Sequence, residues 1–130
     1  MLVQKKDSRI SKKVLEKDIQ REILEWLDKR GGVMFWRQNN GAVFGRNNGG
    51  NMAFRALPKF SRRGIPDIWV IMHGRCVALE VKHPKTGILR PEQKAFGEEL
   101  IRNGACYYVV TSVDDVKVAL SKADHMYPLK

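Results

Sequence analysis

Gly64-Ile65-Pro66-Asp67-Ile68-Trp69-Val70-Ile71-Met72-His73-Gly74-Arg75-Cys76-Val77-Ala78-Leu79-Glu80-Val81-Lys82 reads as two short strands joined by a tight turn. The apolar run at 68–72 is too short for most helices and is bounded by Pro66 and Gly74, which marks a buried strand. From Arg75 to Lys82, Val77, Leu79 and Val81 alternate with Cys76, Ala78, Glu80 and Lys82, the period-two signature of a second strand. Side chains two apart on a strand share a face, so Glu80 and Lys82 project together. The His73-Gly74 break suits a hairpin, and a hairpin brings Asp67 close to Glu80 across the pair.

Working outward, Val14 to Arg30 has the helical period, with Leu15, Ile19, Ile23 and Leu27 recurring every fourth residue until Gly31-Gly32 stops the run. Val33 to Gln38 is strand-like. Asn39 to Asn51 is rich in Asn and Gly and reads as a loop or hairpin, followed by a short strand between Met52 and Leu57. Lys59 to Arg63 is a basic loop leading to Asp67, and His83 to Gly87 is a turn. Pro91 to Asn103 is a helix with Pro in its first turn and Gly104 past its end. Ala105 to Thr111 is a strand, and Val113 to Ala123 is a final helix with Ser112 at its N-cap. The fold class is α/β: a mixed central sheet flanked by helices, with three or four strands between the first two helices (α-β-β-β-α-β-α in its shortest form). Residues 1–13 carry five basic side chains and little apolar content, a flexible basic arm ahead of one domain over 14–130.

The chain has 24 Lys+Arg against 14 Asp+Glu, a net charge of +10 in 130 residues. Such an excess favours a polyanionic partner through phosphate neutralisation and counterion release. No apolar stretch approaches the roughly 20 residues of a membrane span, and the basic N-terminus has no apolar segment of the secretory kind. Cys76 and Cys106 lie in apolar, strand-like runs without metal-site spacing, as buried free thiols in a reducing compartment do. The three histidines are isolated. The expectation is a cytoplasmic protein, not secreted, with no membrane partner.

Asp67, Glu80 and Lys82 are the residues phosphodiester hydrolysis needs. The reaction requires an activated water and neutralisation of an extra-negative transition state, which a divalent cation held by carboxylates can supply. Mg²⁺ or Mn²⁺ takes oxygen ligands, so Asp67, Glu80 and the Val81 carbonyl are the candidates, with Lys82 beside them to orient or activate water. On the first helix, at about 100° per residue, Glu16 falls between Ile23 and Leu27 in the apolar stripe, where a carboxylate is costly unless paired or cation-bound. Glu16 is therefore favoured over Glu22 as a third acidic residue facing the site. Gln93 lies on the apolar face of its helix with Phe96 and Leu100 and suits a site-facing amide. Arg37, Asn39, Asn40, Arg46, Arg62, Arg63 and Lys85 are candidate DNA contacts.

These pieces together resemble a known family. Glu16-x-x-x-Gln20, Trp36-Arg37-x-Asn39-Asn40-Gly41, Gly64-Ile65-Pro66-Asp67, Leu79-Glu80-Val81-Lys82 and Pro91-Glu92-Gln93-Lys94-x-Phe96 look like the VRR-NUC family of the PD-(D/E)XK nuclease superfamily, in its standalone phage and bacterial form. The resemblance implies a restriction-endonuclease-like core. It also implies a metal site of Glu16, Asp67, Glu80 and the Val81 carbonyl, with Lys82 catalytic and Gln93 assisting. It further implies a homodimer in a bacterial or phage-infected cell that acts on branched DNA, including four-way (Holliday) junctions. The expected activity is a Mg²⁺- or Mn²⁺-dependent, structure-selective endodeoxyribonuclease. A nicking, flap or restriction-like nuclease of the same fold is the alternative. A non-catalytic DNA-binding module is the alternative from another class, although binding alone has no need of carboxylates that repel phosphate.

Overall fold

The alternation across residues 68–82 forms the centre of the sheet. The computed structural model describes residues 13–38, 44–46, 52–54 and 58–126; for 44–46, 52–54 and Met126 it describes the backbone alone. In chain order the elements are α1 (Glu16–Arg30), β1 (Met34–Arg37), β2 (Phe44–Arg46), β3 (Met52–Phe54), β4 (Ile68–Met72), β5 (Arg75–Val81), α2 (Pro91–Arg102), β6 (Cys106–Val110) and α3 (Val113–Met126). The main sheet has the order β1-β4-β5-β6. β1/β4 and β4/β5 are antiparallel, and β5/β6 is parallel. The protein is thus mixed α/β, a four-stranded mixed sheet with helices on its faces.

His73 and Gly74 make the β4–β5 turn with φ of 51° and 78°. Two consecutive positive φ values match the right-handed twist of the strands they join, and Gly accepts one at no steric cost. The turn sets the register Ile68↔Leu79 and Val70↔Val77. One sheet face then carries Ile68, Val70, Met72, Val77, Leu79, Val81, Cys106 and Val110. Against it pack Ile19, Ile23 and Leu27 of α1 and Val116, Ala119, Leu120 and Ala123 of α3. Burial of this apolar set is the main source of stability. Arg75 ties β5 to the end of α3 by donating to the Ala123 and Asp124 carbonyls at 3.1 and 2.7 Å, where orphan acceptors and the helix dipole favour a cation.

α2 lies on the opposite face, over β6. A Cβ on Gly97 would stand 2.4 Å from the Tyr107 ring, so the helix reaches this height above the sheet because position 97 has no side chain. Pro91 opens α2, Gly104 follows its end with φ 91°, and Ser112 Oγ accepts the Asp115 N–H at 3.1 Å, as the capping signals indicate.

Several expectations change. Between the first two helices the described residues form five strands rather than three or four; the added one is β2, which pairs with β3 in a separate two-stranded sheet. Leu15 is the N-cap of α1 and is exposed, so the buried stripe begins at Ile19. Cys106 is buried but Cys76 only partly so; both are free. The arm expected over 1–13 lies outside the described residues except for Lys13. None of the described helices is long and apolar enough to cross a membrane.

Candidate active site

Continuing the β4–β5 register one step beyond Ile68↔Leu79 sets Asp67 opposite Glu80, on the face away from the main core. Asp67 is anchored twice. Its Oδ2 accepts the Val81 N–H at 2.8 Å, and its carbonyl accepts the Gln38 N–H at 2.7 Å. Gly64 lets the chain turn into Asp67 with φ 77°; a Cβ there would stand 2.3 Å from the Glu92 carbonyl oxygen, so the approach loop is seated directly on the first turn of α2.

Glu80 is 1% exposed, an unusual place for a carboxyl group. Its Oε1 accepts a hydrogen bond from Gln93 Nε2 and lies 3.6 Å from Lys82 Nζ. The Gln93 amide is oriented by its other end, where Oε1 accepts the Arg90 N–H at 2.9 Å as part of a capping box. Lys82 is 11% exposed on its side chain, and its own N–H donates to the Val110 carbonyl at 2.9 Å. The turn after it is closed by the Gly87 N–H to the His83 carbonyl at 2.9 Å, and a Cβ at Gly87 would reach within 2.8 Å of the Lys82 Cβ. Asp67, Glu80, Lys82 and Gln93 therefore converge, held by strand register, a helix cap and a tight turn.

The charges are out of balance. Burial first, and then the charge of the neighbouring Asp67, raise Glu80 to about 8 against the opposing charge of Lys82. Burial also raises Asp67, against the hydrogen bond from Val81. The two carboxyl groups can share one proton, since each can hydrogen-bond the other when only one is ionised. Glu80 Oε2 is buried with no hydrogen-bond partner among the described residues. A buried, unsatisfied carboxylate oxygen is costly unless a cation or proton meets it.

Glu16, expected within the apolar stripe, is exposed at the first residue of α1, because the helix overhangs the core there. The burial argument for it therefore does not hold. Its charge still reaches Asp67 and raises it. Among the described residues no three His, Cys, Asp or Glu side chains stand close enough to hold a metal ion. Of the expected DNA contacts, Arg37, Arg63 and Lys85 are exposed. Arg62 forks onto Glu99 and lies 4.8 Å over the Phe96 ring. Asn39 and Asn40 lie outside the described residues, as does the side chain of Arg46.

Tyr107 was not anticipated. It pairs with Ala78 and so shares the Glu80 face, under α2. Burial, then the charges of Glu80 and Asp67, push its hydroxyl up to about 12, and that hydroxyl is buried without a partner among the described residues. Period-two alternation in Cys106–Val110 places Tyr107 opposite Tyr108, but only the non-local β5–β6 pairing says which of the two faces the carboxylates. In comparisons with protein-family models, curated proteins and solved structures, nothing matches the chain.

Proposed function

We propose that this protein is a divalent-metal-dependent DNA endonuclease of the VRR-NUC kind. In this reading it has a restriction-endonuclease-like core and acts as a homodimer on branched DNA, four-way junctions foremost. The observation that carries the reading is Glu80, a buried carboxyl with one unsatisfied oxygen, set beside Asp67 and Lys82 in a chain of net charge +10. A polyanion-binding surface has no need of buried carboxylates; a phosphodiesterase site does.

The donor set fits a hard cation. Asp67 and Glu80 would hold Mg²⁺ or Mn²⁺ with the Val81 carbonyl, and Glu16 is the residue of α1 that would complete the set. When bound, the ion supplies Lewis acidity and lowers the pKa of a coordinated water. Lys82, beside Glu80, orients the attacking water and offsets phosphate charge. Gln93 holds Glu80 in place through its fixed amide. Two copies related by a two-fold axis would present two such sites, as paired cuts in a junction require.

The test is a cleavage panel of four-way junction, flap, nicked and linear duplex, with Mg²⁺ and with EDTA. Paired, Mg²⁺-dependent nicks on the junction are expected. Lys82→Ala should lower the cleavage rate by about 10²- to 10⁴-fold while junction binding survives, and Asp67→Ala should do the same or worse. Full activity in either variant refutes the site; equal cutting of linear duplex refutes the junction preference.

A further inference from the structure

Beyond the reach of α2, the sheet face that carries Glu80 becomes an aromatic surface. Trp36 of β1 and Trp69 of β4 are register partners, with ring centroids 6.1 Å apart and planes 4° from parallel. Both indoles are held by their polar ends: Trp69 Nε1 donates to the Pro66 carbonyl at 3.2 Å and Trp36 Nε1 to Gln38 Oε1 at 3.3 Å. Phe96 of α2 meets Trp69 edge-on at 6.4 Å and so limits the stack on that side. On the β1 side the stack stays accessible, with Trp36 37% exposed and Met34 of the same strand 66% exposed.

Position gives this surface a purpose. Trp69 follows Asp67 by two residues on one strand face. Trp36 precedes Gln38 by two, and the Gln38 N–H donates to the Asp67 carbonyl at 2.7 Å. A fixed indole stack, exposed at Trp36 and half-buried at Trp69, therefore borders the carboxylate pair. The chain's charge of +10 provides for the phosphates of an incoming strand.

We infer that the Trp36–Trp69 stack is a subsite for one unpaired nucleobase next to the phosphate presented to Asp67 and Glu80. The inference rests on the nuclease reading and deepens it. Every base has a π-face, so stacking tolerates any sequence. A fully paired duplex keeps its bases stacked on one another, whereas a branch point, gap or flap offers one that is free. The subsite thus selects DNA by the presence of an unstacked base rather than by its identity.

The test uses a duplex with a single unpaired 2-aminopurine in a gap, and the same duplex fully paired, each titrated with protein in EDTA and again in Ca²⁺. The expected result is quenching of the gapped probe alone, with tighter binding to it. Trp36→Ala should abolish the quench and weaken binding to the gapped duplex about tenfold, erasing the preference. Trp36→Phe should keep much of both, and Trp26→Phe, on α1, should change neither. If both duplexes bind without a quench, or Trp36→Ala keeps the preference, the subsite is refuted while the nuclease reading stands. If neither duplex binds although a four-way junction does, the subsite is refuted; if the junction does not bind either, the nuclease reading itself fails. Should Trp36→Ala not fold, the quench by the unaltered protein decides.

Discussion

Glu80 is where the tension in this molecule is concentrated. Unfolded, its carboxyl has the ordinary value of 4.5; folded, burial and Asp67 hold it near 8. Below pH 4.5 it is protonated in both states and does not affect stability. Between 4.5 and about 8 the unfolded chain sheds the proton while the folded one keeps it, so stability falls as pH rises, and the loss is complete above about 8. In EDTA the melting temperature should therefore drop by several degrees from pH 5.5 to 8.5, and Glu80→Gln should flatten the slope. Added Mg²⁺ should restore more at pH 8 than at pH 6, since the ion displaces a proton. A melting temperature independent of pH would contradict the assignment. The pairing of Asp67 with Glu80 was legible in the sequence because a hairpin is local and a period of two is hard to misread. The burial expected of Glu16 was misjudged because a helical wheel treats the first turn as though the core ran beneath it.

At the scale of elements, α2 is the adjustable part. It sits low on the sheet because Gly97 presses on Tyr107, and Gln93, one turn earlier, reaches Glu80 only at that height. Gly97→Ala should force the helix up, cost about 1–3 kcal/mol of stability in urea unfolding, and lower activity as Gln93 withdraws. Adding Tyr107→Val should recover part of the stability, and no recovery would mean that the clash is relieved elsewhere. The three helices could be read from the signals at their ends: Gly31-Gly32 after the first, Pro91 and Gly104 around the second, and Ser112 before the third. Of the separate pair, β3 falls within the short strand expected between Met52 and Leu57, whereas β2 lies in the stretch that reads as loop or hairpin, since three residues in an Asn/Gly-rich stretch leave little periodicity to read. Nor does local pattern specify that β1 adds beside β4, a pairing between segments far apart in the chain.

The whole molecule is asymmetric. One sheet face is closed by α1 and α3 over the apolar core; the other bears the carboxylates, the indole stack and a single helix. The chain carries a net charge of +10, yet this face holds a buried Glu80 beside a half-buried Asp67. If the basic side chains neutralise phosphates, junction affinity should fall steeply and linearly on a log–log plot against NaCl, with a slope set by the number of contacts. A shallow slope in a binding titration from 50 to 200 mM salt, with a loss well below the roughly 10³-fold that six to ten contacts require, would mean that charge does not drive association.

The two-residue turn at His73-Gly74 has a kinetic side. It makes the approach of Asp67 to Glu80 one of the shortest-range events in the sheet, and hairpins of this kind close in roughly 1–10 μs. Two like charges are thus drawn together early, before the helices can shield them. If that closure belongs to the folding nucleus, refolding should speed up at pH 6 or in Mg²⁺, with the change in the folding arm of the chevron and little in the unfolding arm. The opposite partition would place the meeting of the carboxylates after the barrier. A cation held by this pair would then assist the chain in reaching its own shape before it could serve any reaction.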